Sequence, residues 1–144
     1  MKLQLRKVEE KDCLLLFKWI NDPEVRKNAL TPKEIGWEEH QEWFSNRTRS
    51  ENTKLYILEN EAEPVGQIRF DWENDYWKIS YSVEKNSRGQ GLGTKILELG
   101  LNKIDGKVKA WVKADNPKSK KIFEKLGFHQ VAHLRESVEY ELIK

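Results

Sequence analysis

The 144-residue chain, 17.1 kDa, has the size of one domain with one core, so a two-domain enzyme is not expected. Its 26 Lys and Arg against 24 Asp and Glu leave a formal charge of +2, too small an excess to drive nonspecific binding to nucleic acid or an anionic membrane, so neither partner is expected. Hydrophobic residues at 38%, charged residues at 35% and a mean hydropathy of -0.82 describe a hydrophilic surface over a modest core, as in a soluble globular protein.

No apolar run approaches the roughly 18 to 20 residues that span a bilayer. Met1 to Lys11 alternates apolar and charged residues and lacks the apolar region and cleavage site of a secretion signal. The expected compartment is the cytoplasm. The single cysteine, Cys13, excludes an intramolecular disulfide and a cysteine-cluster metal site, and no metal is expected. Followed by Leu14, Leu15 and Leu16, it reads as a buried small hydrophobe.

Along the chain, Met1 to Val8 alternates as a strand does, and Asp12 is placed to cap a helix running to Ile20 with Leu15, Leu16, Trp19 and Ile20 on its apolar face. Asn21-Asp22-Pro23 ends it. Thr31-Pro32 opens a second helical region in which Trp37, His40 and Phe44 follow a 3.6-residue period, and Asn46 to Asn52 reads as a polar connection. Lys54 to Glu59, Val65 to Trp72 and Tyr76 to Glu84, separated by short turns, form an antiparallel meander. A glycine-rich loop, a helix from Gly91 to Lys103, a strand from Lys107 to Val112 and a helix from Pro117 to Leu126 follow, the last stopped by Gly127. Phe128 to Leu134 and Ser137 to Ile143 close the chain as a hairpin. The mixture of antiparallel and crossover connections gives an α+β fold with one central mixed sheet.

The chemistry concentrates in Ile79 to Lys95, a strand running through Arg88-Gly89-Gln90-Gly91-Leu92-Gly93 into a helix. Glycines let main-chain N–H groups converge, and the helix amino terminus adds partial positive charge, so the segment suits a diphosphate. A plain turn needs one glycine, and each extra one costs a helix about 1 kcal/mol relative to alanine. The triphosphatase loop requires Gly-Lys-Ser/Thr, whereas the order here is Gly93-Thr94-Lys95. The dinucleotide fingerprint requires glycine or alanine at 94 and an early βα unit, and remains a weak second.

Arg88-Gly89-Gln90-Gly91-Leu92-Gly93 fits the pattern Arg/Gln-x-x-Gly-x-Gly/Ala, and here the chain resembles the GNAT superfamily of acetyl-coenzyme A dependent N-acetyltransferases. Downstream, Asn116 to Phe128 resembles that family's second cofactor motif, so the resemblance covers nearly the whole length. It implies a single GNAT-like domain over residues 1–144, about six or seven strands with about four helices, the fourth and fifth strands splayed to admit pantetheine. It also implies acetyl-CoA or CoA as cofactor. Backbone around Tyr81, Ser82 and Val83 would pair with pantetheine, and amides of Arg88, Gly89, Gln90, Gly91, Leu92 and Gly93, with Thr94, would hold the pyrophosphate. Asn116 and Ser119 would approach the thiol end, although Asn116 before Pro117 is equally placed as a helix cap.

The implied reaction is direct attack of a primary amine on the thioester in a ternary complex. A thiol titrates near about 8.5 and an alkyl ammonium near about 10.4, so deprotonating the nucleophile is the greater need. Many members carry a tyrosine acid where this chain has Phe123. Either the thiolate leaves unassisted, or Tyr81, Ser119 or Tyr140 substitutes, or the domain is a non-catalytic CoA-binding regulatory module. The early fourth-strand carboxylate of many relatives is absent from Tyr76-Trp77-Lys78-Ile79. His40 and Glu73 are the leading candidate bases, with Glu39, Asp71 and relayed water as alternatives; His40 also sits in an aromatic stripe, where a histidine commonly packs.

Trp19 to Arg26, Glu38 to Phe44 and Leu134-Arg135-Glu136 resemble the branch of ribosomal-protein N-terminal acetyltransferases and of enzymes acetylating nucleotide-linked amino sugars, those of the pseudaminic-acid pathway in particular. The implied acceptor is a small amine such as a nucleotide-linked amino sugar, with a peptide amino terminus as rival. Trp37, Trp43, Trp72 and Trp77 are candidates for stacking, Arg26, Arg47 and Arg69 for pairing with a diphosphate. A homodimer is among the assemblies this resemblance admits.

Overall fold

A computed structural model describes residues 2–144. Its strands are β1 (Leu3–Lys7), β2 (Thr53–Asn60), β3 (Glu63–Glu73), β4 (Tyr76–Val83), β5 (Lys107–Lys113), β6 (His129–His133) and β7 (Ser137–Ile143). They form one seven-stranded sheet in the order β1-β2-β3-β4-β5-β7-β6. All neighbours are antiparallel except β4 and β5, the pair joined by a helical crossover, as parallel strands must be.

The helices are α1 (Cys13–Ile20), α2 (Pro23–Asn28), α3 (Trp37–Arg49), α4 (Leu92–Leu101) and α5 (Pro117–Lys125). In β2, Leu55, Tyr56, Ile57 and Leu58 are all buried, because helices cover both faces of the sheet. Leu55 and Ile57 pack with Leu16 and Trp19 of α1 and Phe44 of α3. Tyr56 and Leu58 face the larger core beneath α4 and α5. Leu92, Ile96, Leu97 and Leu101 present the apolar stripe of α4 to that core, each fully buried aliphatic contributing about 1.5–3 kcal/mol. Gly100 allows close approach: a Cβ there would stand 2.5 Å from Ile68 Cδ1.

Several expectations are corrected. Asp12 does not cap α1; it ends a 3-10 turn over Glu10–Asp12 and forms a reciprocal capping box with Glu9. Its buried carboxylate accepts from Arg6 Nη1 at 2.8 Å and Nη2 at 3.0 Å, so a tertiary ion pair competes for the expected cap. Asn21-Asp22-Pro23 both ends α1 and starts α2: the Asp22 side chain accepts from the amides of Glu24 and Val25, with Pro23 in the first turn, a pattern proline favours. The described residues thus hold five α-helices, consistent with the expected fold of about four. The second helical region begins at Trp37, not at Thr31-Pro32, and α3 extends to Arg49 through most of the expected connection. Cys13 is half-buried rather than buried.

Candidate active site

β4 and β5 are in register only at Trp77 with Val108 and Lys78 with Lys109. Beyond these pairs the strands part. The gap opens a cleft of about 690 Å3 lined by Ile79–Val83 of β4, residues 110–113 of β5, the loop into α4 and the start of α5. A parallel pair so short leaves the facing main-chain groups of β4 available to something other than β5.

The loop after β4 closes one end. Gly89 and Gly91 take φ of +82° and +77°, the left-handed region that glycine enters without steric cost. Gly91 is the cap residue of α4. Among the described residues, the amides of Gly89, Gln90, Gly91, Leu92, Gly93 and Thr94 donate to no carbonyl or side chain; the first helical bond is from Lys95 to Gly91. Six free donors at a helix amino terminus are suited to receive an oxyanion. Gly93 adds clearance, since a Cβ there would lie 3.3 Å from Ile122 Cδ1 and 3.6 Å from the Tyr81 ring.

Arg88 is committed elsewhere. Its Nε donates to the Val83 carbonyl at 3.0 Å, Nη2 to Asp22 at 2.9 Å, and Nη1 pairs with Glu24 at 2.7 Å. It therefore clamps α2, on the other wall, to the loop. Burial pushes the Asp22 carboxyl up, but the Arg88 hydrogen bond and the two α2 amides outweigh it and hold the carboxyl below its ordinary value. Sequence reasoning missed this clamp because its partners are 66 residues apart.

Tyr81, Ser82, Val83, Gly89, Gly91, Leu92, Gly93, Thr94, Asn116 and Ser119 all line the cleft with Arg88, while Gln90 does not. Asn116 caps α5 by accepting from the Ser119 amide. Tyr81 Oη lies 2.8 Å from Ser119 Oγ, and burial raises the phenol's pKa although the Ser119 bond works against it. Phe123 is buried against Tyr81, Phe128 and Tyr140. Tyr140 is buried below the cleft and bonded to Glu124; burial, with that carboxylate, pushes it up to about 12.

The candidate bases fare differently. His40, 1% exposed, packs among Phe17, Trp37, Trp43 and Phe44 at the back of the cleft wall. Its Nε2 donates to the Cys13 carbonyl at 3.0 Å, and burial lowers its pKa against the opposing pull of that bond. Glu73 is exposed at the far end of β3, accepts from Tyr76 Oη, and does not line the cleft. Asp71 is buried and accepts from Arg47, Arg69 and Thr53. Arg26 spends its donors on the carbonyls of Ile20, Thr31 and Lys33. Of the four candidate stacking residues only Trp43 lines the cleft; Trp72 and Trp77 pair with each other elsewhere. Trp19 and Trp111 line it too, positions that periodicity alone assigns to the core.

The profile of the acetyltransferase (GNAT) domain matches residues 2–129, and the chain belongs to that family. It is similar to protein MJ1062 of Methanocaldococcus jannaschii, 28% identical over 144 residues; the match takes in 94% of this chain but only 30% of that protein. It is 27% identical over 128 residues to the acetyltransferase PseH of Campylobacter jejuni, covering 84% of this chain and 79% of PseH. Among solved structures, the ribosomal-protein alpha-N-acetyltransferase RimL with coenzyme A bound superposes with a TM-score of 0.81 at 17% identity, over 99% of this chain and 94% of RimL. The domain is thus a GNAT acetyltransferase domain, and its fold is shared by RimL with coenzyme A bound.

Proposed function

We propose that this protein transfers the acetyl group of acetyl-CoA directly to a primary amine of a small acceptor, a nucleotide-linked amino sugar or a related amine. The observation that carries this reading is the set of unpaired amides from Gly89 to Thr94, set at the end of the gap between β4 and β5. Those donors suit a pyrophosphate, and the gap-facing main chain of Ile79–Val83 suits the amides of pantetheine, which would pair along β4 as a missing strand does.

Attack by the amine on the thioester carbonyl forms the new C–N bond, and collapse of the tetrahedral intermediate breaks the C–S bond. Tyr81, kept protonated by burial and held by Ser119, supplies a hydrogen bond or proton to the departing sulfur. It does from β4 what a tyrosine at the Phe123 position does in other members. The ammonium proton leaves through cleft water, because His40 is fixed through Nε2 and Glu73 is remote.

Thiol release with a panel of amino sugars, nucleotide-linked amino sugars and peptides tests the reading. Sustained turnover with a small amine supports it. Tight coenzyme binding without release on any member of the panel refutes it in favour of a non-catalytic module.

A further inference from the structure

On the acceptor side of the sheet, β3 and β4 present a polar ladder. Gln67 stands opposite Ser82, Arg69 opposite Ser80 and Asp71 opposite Lys78, on the face away from Ile68 and Phe70, which enter the main core. Gln67 Nε2 donates to Ser82 Oγ at 3.1 Å. Arg69 Nε donates to Asp71 Oδ2 at 2.7 Å, and its guanidinium lies over the Trp43 ring at 5.0 Å. The side chain retains 20% exposure, and it lines the cleft. Neither Nη atom of Arg69 has a partner among the described residues.

This is a fork tied at its root to Asp71 and set over an aromatic ring, with its outer donors unpartnered on a residue that lines the cleft. Asp71 does not neutralise the patch, because Arg47 shares the same carboxylate at 3.0 Å and Lys78 adds a further positive charge across the ladder. A surplus of positive charge on this face disfavours a cationic polyamine and favours an oxyanion. Adjacent strands are about 4.8 Å apart, so an anion held on β3 lies within one sugar ring of a thioester bound along β4.

We propose that Arg69 forms an anion subsite for the acceptor, which therefore carries a carboxylate or phosphate group in addition to its amine. This rests on the acetyl-transfer reading for its biological meaning, but not for its test. Glucosamine, its 6-phosphate and muramic acid give a parent without an anionic group, a phosphate and a carboxylate. Each is titrated calorimetrically into the CoA-loaded protein and, separately, assayed for thiol release with acetyl-CoA.

The expected result is at least about tenfold tighter binding of one anionic amine than of glucosamine, a preference abolished in Arg69→Gln and partly kept in Arg69→Lys. The arm that shows it identifies phosphate or carboxylate. Equal binding of all three by the wild type, or a preference that survives Arg69→Gln, overturns the subsite. If Arg69→Gln does not fold, the Arg69→Lys variant decides: an undiminished preference there overturns a role for the fork. Discrimination in binding retains the subsite even where thiol release fails with these three and with every member of the wider panel, the outcome that removes the transfer reading. Turnover without discrimination does the reverse.

Discussion

Tyr81 and Ser119 meet hydroxyl to hydroxyl at 2.8 Å, one reaching from β4 and the other from the first turn of α5. The pair bridges the two walls of the cofactor cleft one helical turn before Phe123. Tyr81→Phe is expected to lower kcat by about 10- to 100-fold, with a smaller effect on either KM. Ser119→Ala is expected to act more mildly, because it removes only the partner. Because burial places the phenol above its ordinary value near 10, the alkaline limb of the wild-type kcat profile lies above pH 10 and is absent from Tyr81→Phe. A wild-type rate for Tyr81→Phe in steady-state thiol release removes Tyr81 from the chemistry.

Gly91 tests the anion receptor without touching a charged group. A Cβ at this position has nothing within 4 Å, so the penalty of Gly91→Ala comes from φ of +77° alone, about 1–2 kcal/mol. Either the variant pays that strain or the loop turns its amides away, so the midpoint of thermal unfolding falls and CoA affinity drops by about tenfold. Calorimetry that finds undiminished affinity shows that these amides do not hold the coenzyme.

Arg88 is expected to matter through the walls it joins. Arg88→Ala removes contacts to Asp22, Glu24 and the Val83 carbonyl together, and is expected to weaken CoA binding by about tenfold through the loss of these intraprotein contacts. Arg88→Lys is not expected to restore it, since one ammonium cannot span three acceptors in a fixed fork. Titration with CoA distinguishes the two; full rescue by lysine reduces the clamp to a point charge.

His40 is expected to govern stability more than rate. Its folded pKa lies below the ordinary 6.5, so between that value and the folded one the unfolded chain binds the extra proton. This component of stability is complete above pH 6.5 and is lost as the pH falls through the window down to the folded value. His40→Gln is expected to cost about 2 kcal/mol at neutral pH from lost packing and an altered bond to Cys13, and to flatten the acid-side slope. Urea denaturation at several pH values measures both. A collapse of kcat in a fully folded His40→Gln returns the histidine to the chemistry.

The sheet and the cofactor loop were legible because their signals are local. Alternation marks β3 and β4, and the glycines that permit positive φ lie in one run with the helix they cap. What escaped depends on partners distant in sequence. Asp12 has the local appearance of a cap, yet Arg6 from β1 takes its carboxylate. Arg26, Arg47 and Arg69 are indistinguishable by residue type, and only the fold shows that carbonyls engage the first, that Asp71 pairs with both of the others, and that of those two only Arg69 lines the cleft. Glu73 and Tyr140 have suitable chemistry, but strand register carries one to the far end of the sheet and packing sinks the other. The family resemblance foresaw the splay of β4 from β5 that no periodicity in either strand encodes.

That splay gives the middle of the sheet a property usually confined to its border. Amides of β4 beyond Lys78 that point away from β3 have no strand to protect them, although the residues themselves sit within a seven-stranded sheet. Their protons would trade with deuterated solvent as freely as those of a loop in the empty protein and slow markedly in the binary complex. Isotopic labelling would therefore trace the bound coenzyme's path residue by residue, with the neighbouring amides of β3 as an internal reference.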